Sequence, residues 1–151
     1  MKLAAVIVFT ALSAVPFPAQ AASPLVKTLQ QFGLFGRWAP DCRAPAAIDN
    51  SHVRDILQSN GQVLERHDQG ADTESNVYRI VAAKKLSATR LSLSVIFKPG
   101  SSDAERQKLE YIVSNGTRRT MANQPDKGDA VVKDGIVLGA GSETPVLMKC
   151  E

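Results

Sequence analysis

A chain of 151 residues with a formal net charge of +3 has room for one small domain, and neither sign of charge dominates it. Its basic residues, among them Arg79, Lys84, Lys85, Arg90, Arg106, Lys108, Arg118 and Arg119, are scattered and not interleaved with aromatics. That pattern points away from nucleic acid and anionic surfaces as partners.

Residues 1–21 read as a secretory signal peptide. Lys2 precedes an apolar run from Leu3 to Val15, Pro16 and Pro18 break it, and Ala19-Gln20-Ala21 forms a small-x-small cleavage site. A membrane span needs about 20 uninterrupted apolar residues, so export to the periplasm or medium is expected, with no stable membrane insertion. Residues 22–35 form an N-terminal arm or a short helix. Ser23 can cap, Pro24 can occupy the first helical position, and Leu25, Leu29 and Phe32 share a stripe that ends at Gly33. A disordered arm is the alternative.

From residue 36 onward the pattern is that of strands. In "RLSLSVIF", Leu91, Leu93, Val95 and Phe97 alternate with Ser92 and Ser94; in "SNVYRIVAA", Tyr78, Ile80 and Ala82 oppose Val77, Arg79 and Val81. Asn60-Gly61, Asn115-Gly116 and Asp134-Gly135 mark hairpins. A two-residue loop at the first pairs Leu57 with Leu64, Asp55 with Arg66 and Arg54 with His67; at the third it pairs Val132 with Val137. At the second, Leu109, Tyr111 and Val113 would face Arg118 and Thr120, and a loop one residue longer would bring Met121 into line. That register stays open. The closing "TPVLMKC" groups Val146, Met148 and Cys150, which turns the last thiol inward.

The expected strands cover residues 36–40, 52–58, 62–68, 76–86, 90–98, 107–114 and 117–122, with 131–149 as a final hairpin. Sequential hairpins favour an all-β fold, a single small antiparallel meander barrel of about eight strands over residues 36–151. Cys42 and Cys150, the only two cysteines, lie 108 positions apart with no CxxC spacing. In an exported chain they are expected to form one disulfide that clasps the first strand to the last.

Candidate chemistry is sparse. His52 and His67 could hold a metal with Asp55 or Asp68, but solvated strand-end histidines are the simpler reading, and neither a metal nor another cofactor is expected. Asp41 reads as a loop cap before a catalytic acid, and Ser92 and Ser94 as the wet face of a strand. Trp38 is expected to plug the barrel against the disulfide, or else to meet a ligand at its mouth.

"GRWAPDC" resembles the Gly-x-Trp strand that opens lipocalin-like barrels. The resemblance implies that Gly36 allows a bend and that Trp38 is a barrel plug or ligand contact; the later strand signatures of lipocalins are not present. The chain also resembles a group of small exported proteobacterial β-domain proteins through Gly36-x-Trp38-Ala39-x-Asp41-Cys42, Lys133-Asp134-Gly135 and Thr144-Pro145-x-Leu147-x-x-Cys150. That second resemblance implies export and a paired Cys42 and Cys150, and brings no activity with it.

The expected function is a non-catalytic periplasmic binding or interaction module, not an enzyme. The alternatives are an inhibitor of a secreted hydrolase, such as a protease or lysozyme, that inserts a terminal arm (residues 23–35 being the candidate) or a loop into its target, and a carrier of a small apolar ligand. The partner is therefore a protein or a small apolar molecule, and not nucleic acid.

Overall fold

The computed structural model describes residues 22–151; the signal peptide and cleavage site expected from the sequence fall on residues 1–21, outside the described residues. Helix α1 (Pro24–Gln31) begins where Ser23 Oγ accepts a hydrogen bond from Val26 N–H, with Pro24 in the first turn. It closes through a Schellman pair, Gly33 N–H to Gln30 O and Leu34 N–H to Leu29 O. Leu29 and Leu34 are both fully buried in the barrel core, with Val26 beside them. Of the two expectations for this segment, the short helix forms, and it belongs to the core rather than to a solvated arm.

Eight strands make the barrel: β1 (Gly36–Ala39), β2 (His52–Leu57), β3 (Val63–Asp68), β4 (Asn76–Lys85), β5 (Arg90–Phe97), β6 (Glu105–Ser114), β7 (Thr117–Pro125) and, after three short strands, β11 (Val146–Cys150). Each of the first seven pairs antiparallel with the next; β11 pairs with both β7 and β1 and closes the ring. The short strands β8 (Val132–Lys133), β9 (Ile136–Val137) and β10 (Ser142–Glu143) form a lap beside β7, so 131–149 is not one hairpin. The lap is held from β7: Arg119 donates to Gly135 O and Thr144 Oγ1 and pairs with Glu143, and Thr144 Oγ1 donates to Thr120 O.

Registers decide which side chains enter the barrel. The Asp134-Gly135 turn gives Val132 opposite Val137, as expected. The first hairpin differs by one residue. Gly61 takes φ +80° after a tight turn in which it donates to Gln58 O, and Gln58 N–H meets Gln62 O, so the loop holds three residues, Ser59 to Gly61. This is the turn-plus-bulge geometry that glycine permits. Leu57 then faces Val63 and Asp55 faces Glu65, in place of Leu64 and Arg66. In the second hairpin the two-residue Asn115-Gly116 turn holds, and Val113 faces Arg118. A bulge at Glu110/Tyr111, and not a longer loop, then shifts the register by one, leaving Met121 without a direct partner and placing Tyr111 opposite Thr120 and Leu109 opposite Asn123.

The clasp forms as expected. Cys42 and Cys150 are bonded, their Cα atoms 5.5 Å apart, and Arg37 lies opposite Cys150 across the β1–β11 seam. The orientation of β11 is the reverse of the expected one. Leu147 is buried opposite Arg118, while Val146 and Met148 are half exposed, so Cys150 belongs to the outer face and the disulfide lies against the barrel wall.

Candidate functional site

The inward faces of β2, β3, β6 and β7 bring four polar side chains into an otherwise apolar interior. Arg118 Nη1 donates to Asp55 Oδ2 at 2.6 Å and its Nη2 meets Glu65 Oε2 at 2.9 Å. Tyr111 donates its hydroxyl to the Glu65 carboxylate at 2.9 Å, and His67 Nε2 lies 2.6 Å from Glu65 Oε1. The Arg118 guanidinium also rests over the Tyr111 ring, 4.4 Å from its centroid, and 5.8 Å from that of Trp38. Asp55, Glu65, Tyr111 and Arg118 are all essentially inaccessible to water. Around them pack Val53, Val63, Ile80, Leu91, Leu93, Val95 and Leu109.

Burial and pairing pull the two carboxyls apart. Burial pushes Asp55 well above the ordinary carboxylate range, Arg118 offsets this in part, and the Glu65 charge adds to the rise. Burial acts on Glu65 too, but Arg118, His67 and the Tyr111 hydroxyl outweigh it and hold that carboxyl far below its usual range. Tyr78 is pushed up to about 12, chiefly by burial and then by the Glu65 charge. Asp55 Oδ1 and Arg118 Nε have no hydrogen-bond partner. The charged ends otherwise face one another, so the cluster cross-braces β2, β3, β6 and β7.

Trp38 stoppers the end of the barrel that α1 covers. Its indole Nε1 donates to Leu34 O at 2.8 Å. Lys149, its cross-strand neighbour, lies 4.6 Å over the ring and donates to Gly33 O and Phe35 O. Gly36 has φ +120°, and a Cβ there would come 3.3 Å from the Lys149 side chain, so Gly36, Trp38 and Lys149 form one latch. Trp38 is thus the expected plug, anchored by the helix and by Lys149 on the inner face, whereas the disulfide belongs to the outer one.

The remaining candidates are placed as follows. Asp41 Oδ1 accepts from Arg43 N–H at 2.9 Å, the loop cap the sequence predicts; Asn50 completes that loop by accepting from Asp41 N–H and donating to Pro45 O. His52 and His67 are on different rows, opposite Asp68 and Val53 respectively. Among the described residues no group of three metal-ligating side chains comes together. Ser94 is exposed, whereas Ser92 is buried.

Sequence reasoning passes over Asp55, Glu65, Tyr111 and Arg118 as a group. Its one signal is the mismatch of Arg118 with Val113 across the Asn115-Gly116 turn. Compared with protein-family models, with curated proteins and with solved structures, the chain matches none.

Proposed function

We propose that this is an exported, non-catalytic binding module that engages its partner with the outside of a stoppered barrel. The observation that carries the reading is the interior itself: Trp38, Tyr111, Arg118, Leu29, Leu34, Leu91, Leu93, Glu65, Val63 and Val95 are its largest fully buried side chains. Space that would hold an apolar ligand is taken by these groups, which weighs against a carrier. The 23–35 segment is bound into the core by Leu29, Leu34 and the Trp38 indole, which weighs against its use as the inserting arm of a hydrolase inhibitor. Export is supported by the sequence of residues 1–21 and by a disulfide that persists in an oxidising compartment.

The test combines two measurements on protein recovered from an exporting host. Native mass spectrometry should give the mass of the oxidised polypeptide alone, and a retained apolar molecule would contradict the proposal. A photo-reactive side chain in place of Ile56, on the outer face, should capture one discrete protein; capture of none from any outward position would end the binding-module reading.

A further inference from the structure

On the outer face the sheet gathers charges that the sequence scatters. Arg37, Arg54 and Arg66 are direct cross-strand partners on β1, β2 and β3. Arg79 follows on β4, opposite Leu64 and two residues from Val77, the partner of Arg66. Directly opposed residues on neighbouring strands stand about 5 Å apart, and like charges placed so repel one another. Among the described residues none of these four arginines is in an ion pair, and the buried Nε of Arg79 has no partner. A recess of about 370 Å³ is lined by Arg37, Arg54 and Arg66 themselves, and a second of about 510 Å³, lined by Arg66 and Arg79, adjoins it and shares Leu64, Arg66 and Ser75 with it.

Resting on the binding-module reading and deepening it, we infer that the Arg37–Arg54–Arg66 row docks a carboxylate-rich segment of a partner protein. Guanidinium forks match carboxylates in two-pronged geometry, and a row of three unpaired ones is charge-complementary to several acidic side chains in succession. Half-buried Ile56 lies beside the row, over the buried Leu64 of the next strand, so the segment would carry apolar residues among its acids. Ile56 lines the same recess as the three arginines; a phosphate chain brings anions but no aliphatic side chains to it, whereas a peptide that mixes acidic and apolar residues supplies both. Asp68 lines the smaller recess, so the acids of the segment would sit along Arg37, Arg54 and Arg66 and away from it, while Glu74 in the larger recess is paired with Lys98.

The probe is a fluorescent peptide of alternating Glu and Leu, titrated by anisotropy against the oxidised protein. Arg54→Glu/Arg66→Glu, two exposed positions, should weaken binding by about tenfold or more, while Lys84→Glu/Lys85→Glu, with the same change in net charge, should leave it within about twofold. Added salt should weaken the wild-type complex. Equal losses in both variants, or no loss in either, would overturn the assignment. So would tighter binding of a single-stranded oligonucleotide or of anionic phosphatidylglycerol vesicles through the same arginines. If the partner captured from position 56 still forms with Arg54→Glu/Arg66→Glu, only the row is misassigned; capture of none from the unmodified surface would defeat the module itself.

Discussion

Arg118 shows how much one side chain can commit a small core. It carries a positive charge into a place without water, and it is kept there because Glu65 and Asp55 offset the burial that opposes its ionisation. Removing one partner of such a cluster is costly, whereas replacing the whole cluster with apolar groups need not be. Arg118→Met should therefore lose about 3–5 kcal/mol in urea unfolding. Arg118→Met combined with Asp55→Leu, Glu65→Met and Tyr111→Phe, the last removing the hydroxyl that donates to Glu65, should regain most of that loss. The two carboxyls also predict opposite responses to pH. The stabilisation from Glu65, whose folded pKa is depressed, is present above its ordinary value and lost in acid. Asp55, whose folded pKa is raised, stabilises most below its ordinary value of 3.8, and that contribution is lost as pH rises through the folded value. Unfolding midpoints measured from about pH 4 to pH 8 should show Asp55→Asn losing the decline on the neutral side; an unchanged slope would mean that Asp55 ionises normally. The sequence leaves this cluster nearly invisible, because Asp55 and Glu65 become neighbours only when the first loop takes three residues instead of two.

At the level of elements, short-range patterns carry far and long-range ones do not. The capping of α1, the Asp134-Gly135 register and the alternation of β5 are readable because each depends on residues close together in the chain. The first hairpin slips by one because Asn60-Gly61 supports two loop lengths, and a one-residue slip exchanges the two faces of a strand. The orientation of β11 escapes the sequence pattern for a related reason: its apolar residues sit on both faces, and only pairing with β1 and β7 chooses Leu147 for the interior. Helix α1 supplies the element-scale prediction. Leu29→Ala should cost about 2–5 kcal/mol, as a fully buried leucine does, where a solvated arm would lose almost nothing on urea unfolding. The glycine at position 36 ties this helix to the barrel, since Lys149 must cross it to reach Gly33 O and Phe35 O.

For the whole molecule, the barrel and its clasp were legible because two cysteines at the ends of a run of hairpins leave few ways to arrange the sheet. The outer arginine row was not, since Arg37, Arg54 and Arg66 meet only through cross-strand pairing. Closing a loop of 108 residues restricts the unfolded chain by about 4–5 kcal/mol in a chain-entropy treatment, so Cys42→Ser/Cys150→Ser should lower the unfolding free energy by about that amount. A ring closed by both hydrogen bonds and a disulfide suits the proposed module, in which the inside would be structural and the outside the working surface. Side-chain methyl NMR tests that division most directly, in separate titrations with the acidic peptide and with a long-chain fatty acid. Outward Ile56 and Leu64 should shift with the peptide, while inward Val53, Val63, Leu93 and Val95 stay fixed with both; inward methyls that move with stoichiometric fatty acid would show a hollow barrel and contradict the account.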